Sequence, residues 1–170
     1  MPSALRYSLL ALAAGLTVAF GVWYALPSAG APPQALAFCD AKGLLVIAEP
    51  GPGFYGVESQ ADRRWSWSGG EATLTLRRLD QSATPRPIHL SFNLHSLTPR
   101  EVTVRYGKFV LWRGHLQKTL VPVDIPAFTM TGPLAELTLV SDLPGELAPG
   151  GHDSRLLAFA LYDLKITPAD

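Results

Sequence analysis

The stretch PIHLSFNLH, residues 87–95, decides the fold class because apolar and polar side chains alternate strictly along it. One side carries Ile88, Leu90, Phe92 and Leu94, and the other carries His89, Ser91, Asn93 and His95. A period of two is typical of a strand with one face against a core and one face in solvent. We therefore predict a half-buried antiparallel strand here.

Similar short runs, separated by turn residues, fill the chain on both sides of this strand. They are residues 44–49, 54–58, 64–68, 71–78, 101–106, 108–112, 119–125, 136–141 and 155–166. About eight or nine strands of this kind, without a convincing helical pattern, indicate a sandwich of antiparallel sheets. We predict an all-β, jelly-roll-like β-sandwich over residues 44–170, with a barrel of the same strands as the alternative.

The N-terminal region has a different pattern. Residues 7–26 read YSLLALAAGLTVAFGVWYAL, twenty residues without a charge, which is enough for a helix to cross ~30 Å of hydrocarbon. Trp23 and Tyr24 stand at the end of this run, where amphipathic rings favour the headgroup level. We predict a single transmembrane helix over residues 7–27, with the bilayer as a partner.

The charges around this segment predict its orientation. Arg6 precedes it, whereas the next basic residue after it is Lys42. The positive-inside rule then places residues 1–6 in the cytoplasm and exports the remainder, with the Pro-, Ala- and Gly-rich residues 28–43 as a linker. A cleaved signal peptide is the alternative, because Ala29-Gly30-Ala31 has the form of a cleavage site.

Small residues in the apolar segment suggest contact with other membrane subunits. Ala14, Gly15 and Gly21 would let a second helix approach closely in the bilayer. Ordinary anchor composition explains the same residues equally well.

Composition argues against several function classes. The chain has 170 residues, is 48% hydrophobic and 16% charged, and has fourteen basic and fourteen acidic residues for a net charge of +0. A nucleic-acid-binding domain usually carries a basic face, so we expect no nucleic-acid partner. The single cysteine, Cys39, excludes an internal disulfide, and we expect it to be a small buried hydrophobe.

We find no pattern that predicts catalysis, a cofactor or a metal. The stretch GPGFYG at residues 51–56 matches G-x-G-x-x-G, but two prolines and the extended residues after it indicate a turn. His89 and His95 share a strand face but lie ~20 Å apart, and His115 and His152 have no ligand spacing around them. No G-x-S-x-G is present either, so we expect a non-enzymatic protein.

Aromatic residues are the best candidates for a binding surface. Trp112, Tyr106 and Tyr55 would suit a platform for sugar rings or for a protein partner. For Trp65 and Trp67 we favour burial in the sandwich core, because of their strand position.

Three stretches carry a resemblance to a known group of domains. They are GFYGVE at residues 53–58, RWSWSGGEATLTL at 64–76 and DSRLLAFAL at 153–161. Together they resemble extracytoplasmic β-sandwich modules attached to some bacterial membrane glycosyltransferases and polysaccharide-export proteins. The resemblance implies a jelly-roll module outside a bacterial cytoplasmic membrane. It implies structural roles for the turn glycines, a core tryptophan and the Asp153/Arg155 stretch.

These features support two functional hypotheses. The first is a non-catalytic, singly anchored accessory subunit of a larger membrane protein complex, for which a respiratory or photosynthetic assembly is one setting. The alternative is a carbohydrate-binding module at the cell envelope, with glycans as partners.

Overall fold

The computed structural model describes residues 35–41, 44–80, 84–150 and 153–169, and these form strands without a helix. The strands are β1 (Ala37–Ala41), β2 (Leu44–Pro50), β3 (Glu58–Gln60), β4 (Arg63–Ser68), β5 (Glu71–Arg78), β6 (Arg86–Ser96), β7 (Arg100–Tyr106), β8 (Phe109–Leu116), β9 (Val121–Met130), β10 (Leu134–Ser141), β11 (Glu146–Leu147), β12 (Leu156–Leu157) and β13 (Phe159–Pro168). Within these ranges no helix could span a membrane. The predicted transmembrane helix lies outside the described residues.

The strands form two large antiparallel sheets. The six-stranded sheet has the order β1-β2-β5-β10-β7-β8, and the five-stranded sheet has the order β3-β4-β13-β6-β9. β11 and β12 pair only with each other. Because β2, β5, β7 and β10 lie in one sheet and β4, β6, β9 and β13 in the other, the chain crosses between sheets repeatedly. The predicted all-β, antiparallel architecture is confirmed.

One apolar core fills the space between the two sheets. The six-stranded sheet contributes Val46, Leu74, Leu76, Val104 and Leu137, and the five-stranded sheet contributes Leu90, Leu94, Ile125, Leu161 and Ile166. Most of these side chains are completely buried. The alternation that predicted β6 therefore holds: its even-numbered residues from Ile88 to Leu94 face this core.

The sandwich begins earlier than the sequence pattern predicted. β1 lies within residues 28–43, which we predicted to be a linker, and it pairs with β2 along its whole length. Cys39 faces inward and joins the core as a small hydrophobe, as expected. One inward residue between exposed neighbours is too short a pattern to predict a strand.

The glycine-rich stretch at residues 51–56 is a turn that lies against β5. Backbone hydrogen bonds join Gly51 N to Thr73 O and Thr73 N to Pro52 O. Gly53 has φ +83°, and a Cβ there would lie 1.9 Å from the carbonyl oxygen of Glu71. Glycine is required because both the backbone angle and the close approach exclude a side chain. The predicted strand at residues 54–58 is wrong for most of its length, since Phe54 forms one isolated bridge with Ser68 and β3 starts at Glu58.

Candidate functional site

The outer face of the five-stranded sheet carries an ordered set of polar and aromatic side chains. Directly opposed residues of antiparallel strands share a face, so the pairing register identifies this set. One row contains Glu58, Trp65, Tyr162, Asn93 and Pro122. The row towards β12 contains Trp67, Ala160 and His95, and the row on the other side contains Lys165, Ser91 and Asp124.

Aromatic rings cover one half of this outer face. Trp65 stacks on Tyr162 with 5.5 Å between ring centroids and 17° between ring planes. His95 meets Trp67 and Tyr162 edge to face. Burial of the Tyr162 hydroxyl raises its pKa. Tyr55 and Leu157 pack over these rings, so this half of the sheet is shielded on both faces.

This arrangement differs from our expectation for Trp65 and Trp67. We predicted that both rings fill the sandwich core. They instead belong to a separate cluster, with Tyr162 and Leu157, on the opposite face of the five-stranded sheet. The inward positions of β4 belong instead to Ser66 and Ser68, which are fully buried. The inward residues of β4 are therefore small, and its two large rings lie on the outer face.

A β-bulge in β13 opens the other half of the outer face. The partners of Tyr162 and Lys165 on β6 are Asn93 and Ser91, so β13 has one residue more than β6 between these pairs. The extra residue is Asp163, with φ +52°. Aspartate tolerates this left-handed conformation better than most side chains.

The bulge changes which side chains face outward. Leu161 and Leu164 both enter the core although they are three positions apart. Strict alternation from Leu161 would instead direct Asp163 and Lys165 into the apolar core. With the bulge, both charged side chains line an open cleft on the outer face.

We call this feature the outer cleft. Its volume is about 1040 Å³, just above the ~300–1,000 Å³ range of typical ligand sites. Nine of its fourteen lining residues are polar or charged: Asp62, Arg63, Arg64, His89, Ser91, Asn93, Asp124, Asp163 and Lys165. β6 and β13 supply the floor, and β9 and the β3–β4 turn supply the sides.

Internal contacts fix several of these side chains. Arg63 Nη2 donates to Asp163 Oδ2 at 2.8 Å, and Asn93 Nδ2 approaches the same oxygen at 3.4 Å. The hydrogen bond from Arg63 lowers the pKa of Asp163 below its ordinary value. On the far side, His89 Nε2 lies 2.5 Å from Asp124 Oδ1. The floor is therefore held by contacts between strands and does not depend on a ligand.

A second network adjoins the aromatic rings and unites residues that are distant in sequence. Glu58 accepts a hydrogen bond from Trp65 Nε1 at 3.1 Å and pairs with Arg155 Nη1 at 2.8 Å. Arg155 also binds Asp153 through Nη2 at 2.6 Å and lies over the ring of Tyr55. These contacts lower the pKa of Asp153 to about 2, mainly through the hydrogen bond from Arg155. All five residues lie in the three motif stretches, and their contacts join these stretches at one corner of the domain.

The structure separates the three aromatic residues that we predicted as a binding surface. Tyr55 belongs to the outer-face cluster, and its hydroxyl donates to the carbonyl oxygen of Leu156 at 2.9 Å. Trp112 and Tyr106 are half-buried against the main core near β9, and Tyr106 contacts Phe128 with 5.1 Å between ring centroids. The three residues therefore do not form a common platform, and the separate role of each stays a prediction.

Several predicted residues lie outside the part of the chain that the structure describes. They are the helix-packing residues Ala14, Gly15 and Gly21, the interface anchors Trp23 and Tyr24, and His152. Their roles stay predictions.

The described histidines lie in different surroundings. His89 lines the outer cleft, His95 is enclosed by rings, and His115 is exposed on β8 near Glu101. Within the described ranges there is no group of three histidine, cysteine or acidic residues that could hold a metal ion.

Sequence alternation predicted part of the outer cleft. It placed His89, Ser91 and Asn93 on the solvent face of β6, where they are. It did not identify Asp163 and Lys165, because residues 155–166 were predicted as one regular strand. An aspartate and a lysine interrupting an otherwise apolar strand are the signal that could have identified the bulge.

Comparison with known proteins gives limited information. No protein-family model matches the chain, and no curated protein matches it. A Bacillus thuringiensis Cry1Da tryptic core variant matches with a TM-score of 0.44 at 14% identity, covering 74% of this chain and 24% of its own. The Podospora anserina GH26-CBM35 β-(1,4)-mannanase matches with a TM-score of 0.42 at 10% identity, covering 81% and 28%. The chain thus spans about a quarter of the length of these two proteins.

A further similar structure is a mutant of a family 29 carbohydrate-binding module. It matches with a TM-score of 0.40 at 14% identity, covering 80% of this chain and 88% of the module. Carbohydrate-binding modules are thus among the β-sandwiches that this chain resembles. Identities and TM-scores at this level carry no functional argument, so the proposals below rest on the residues of the chain itself.

Proposed function

We propose that the domain is a carbohydrate-binding module and that the outer cleft is its binding site. The observation that carries this proposal is the cleft itself: a cavity of about 1040 Å³ with nine polar or charged residues among its fourteen lining residues, and with a floor fixed by contacts between strands.

The chemistry of the lining suits a sugar better than an apolar ligand. Sites for apolar molecules are lined mainly by hydrophobic side chains with a few polar groups. Here the floor offers the hydroxyl of Ser91, the amide of Asn93 and the ammonium of Lys165, and the sides add carboxylates. Sugar hydroxyls donate and accept hydrogen bonds, so a lining that combines both types of group can satisfy them.

The stacked rings beside the cleft support the same proposal. Tyr162 is directly opposite Asn93 on the neighbouring strand, so the Trp65–Tyr162 pair borders the polar floor. Aromatic side chains combine a large apolar face with a polar group at the ring edge. A saccharide has the complementary surface, with C–H groups on the ring faces and hydroxyls around the edge.

Membrane anchoring is part of this proposal, on the sequence of residues 7–26. The accessory-subunit hypothesis rests on the same segment, and no observation on the described residues favours it over glycan binding.

A steric block tests the proposal. Ser91→Trp places an indole on the floor of the outer cleft. The control is Thr138→Trp, which adds the same ring to the outer face of the six-stranded sheet, because the neighbouring residues Leu137 and Leu139 face the core. We expect wild type and Thr138→Trp to be retained on the same members of a glycan array, and Ser91→Trp to lose that retention at an unchanged melting temperature. Retention by folded Ser91→Trp would exclude the cleft as the binding site.

A further inference from the structure

The outer cleft has equal numbers of cationic and anionic side chains. These side chains differ in whether another residue of the protein already binds them. Three cationic side chains, Arg63, Arg64 and Lys165, face three carboxylates. A charge that already has a partner in the protein gives little to a ligand, because binding would have to replace that contact. The groups without such a partner therefore decide which ligand charge the cleft prefers.

Two of the three carboxylates are already engaged. Asp163 accepts from Arg63 at both oxygens, with Nε at 3.4 Å from Oδ1 and Nη2 at 2.8 Å from Oδ2. Asp124 contacts His89 on the side of the cleft formed by β9. A cationic ligand would therefore compete with Arg63 and His89 for these two carboxylates.

The third carboxylate, Asp62, lies in the turn between β3 and β4 at the rim of the cleft. It is exposed, and the next two residues in sequence are Arg63 and Arg64. Water therefore screens its charge, and two cationic residues follow it directly in sequence.

Lys165 is also exposed, but unlike Asp163 and Asp124 it has no ion-pair partner in the described ranges. Its position on the floor is fixed by the bulge, in one row with Ser91 and Asp124 on the next two strands. Neighbouring strands are ~4.8 Å apart, so about 10 Å separates the backbones of Lys165 and Asp124. The charge of Lys165 contributes to the lowered pKa of Asp163, but the ammonium forms no hydrogen bond or close ion pair within the described ranges, so its three donors remain for a ligand.

Arg64 adds donors on the side of the cleft. Its Nη1 donates to the carbonyl oxygen of Ala35 at 2.7 Å, which holds the guanidinium in place. A guanidinium has five N–H donors, so most of them remain available.

From these contacts we infer that the ligand is an acidic saccharide, whose carboxylate binds Lys165 on the floor of the outer cleft. This inference rests on the proposed function and specifies its substrate class. The hydroxyls of the sugar meet Ser91 and Asn93, and the carboxylate supplies the hydrogen-bond acceptor that Lys165 lacks within the described chain.

The test compares one oligosaccharide in two charge states. A glycan array containing neutral and uronate-bearing oligosaccharides identifies the best-retained member. The affinity for that member is then measured by calorimetry before and after its carboxylates are reduced to hydroxymethyl groups. Lys165→Gln removes the floor cation, and Lys118→Gln, in the exposed loop before β9, makes the same change in net charge away from the cleft.

We expect uronate-bearing members to be retained. Carboxylate reduction and Lys165→Gln should each weaken binding about tenfold, the contribution of one charge-assisted hydrogen bond, whereas Lys118→Gln should match wild type. Retention of neutral members with an affinity that Lys165→Gln leaves unchanged would overturn this inference and leave the proposed function intact. Failure of folded wild type to retain any member would overturn both.

Discussion

Arg63 and Asp163 form an ion pair at the position where β13 departs from regular strand geometry. The 2.8 Å contact between Nη2 and Oδ2 joins the start of β4 to the bulge, and the guanidinium also lies over the ring of Tyr162. The same aspartate has the left-handed backbone conformation that opens the outer cleft. One residue thus supplies both the backbone angle and the carboxylate that this corner of the cleft requires.

Replacing Asp163 separates these two contributions. Asp163→Gly removes the carboxylate but accepts φ +52°, whereas Asp163→Ala removes the carboxylate and resists that angle. We expect the alanine variant to be less stable than the glycine variant by about 1 kcal/mol, the approximate cost of a left-handed alanine. Urea unfolding of both variants measures the difference. Equal stability would contradict the left-handed bulge.

The Asp153–Arg155 pair predicts a loss of stability in acid. The pKa of Asp153 is about 2 in the folded chain, compared with an ordinary value of 3.8. The folded state therefore binds fewer protons than the unfolded state between these values, and the stabilisation is complete above 3.8 and is lost as the pH falls towards 2. Melting temperatures measured across this window should fall.

The control for this prediction is Asp153→Asn, which cannot titrate. Its melting temperature should fall less steeply than that of wild type, although Asp80 and Asp163, whose pKa values are also lowered, continue to contribute. Added salt should reduce the difference, since the pair is at the surface. Parallel curves for the two proteins would argue against this ion pair.

Trp112 gives a test between a structural and a binding role. Its half-buried ring packs against the core and covers Gly114. We expect Trp112→Ala to cost about 2 kcal/mol, less than the ~3–5 kcal/mol of a fully buried tryptophan, and to leave glycan retention unchanged. Thermal unfolding together with the glycan array checks both parts. Lost retention at an unchanged melting temperature would instead assign Trp112 to a binding surface.

Arg100 is expected to be the most sensitive charged residue away from the cleft. Its side chain is 1% exposed, and its Nη2 lies 2.9 Å from Glu146 Oε1. Its Nη1 donates to the carbonyl oxygens of Leu143 and Pro144, which fixes the segment before β11. We expect Arg100→Lys to lower the free energy of unfolding by about 3 kcal/mol, because an ammonium cannot reproduce the fork of contacts.

Hydrogen exchange would show where the effect of Arg100→Lys is located. Protection of backbone amides from exchange should fall first around β11 and β12, which pair only with each other. The control is Arg77→Lys, which makes the same substitution on the exposed face of β5. A stable Arg100→Lys variant with unchanged exchange would contradict this role.

The sequence predicted regular strands well because alternation reports directly on the burial of one face of a sheet. β5 and β6 show this, since each alternates a core residue with a half-buried or exposed one. The sequence-based prediction failed at residues whose burial does not follow this alternation. Trp67 is buried and Trp65 is partly buried on the outer face because other parts of the chain cover them, and that coverage depends on contacts across about 90 residues. Asp163 was missed because its backbone angle accompanies the register shift between β13 and β6.

The bulge makes the outer cleft depend on the length of the chain as well as on residue identity. Deleting Asp163 would leave Leu161, Leu164 and Ile166 facing the core and Tyr162 and Lys165 facing outward, so the bulge is a one-residue insertion into an otherwise regular strand. A point substitution alters the lining one group at a time, whereas this deletion removes the carboxylate and the left-handed backbone angle together and keeps Lys165 opposite Ser91. In the evolution of such domains, a single-codon event in the last strand would separate chains that have this bulge from chains whose last strand is regular.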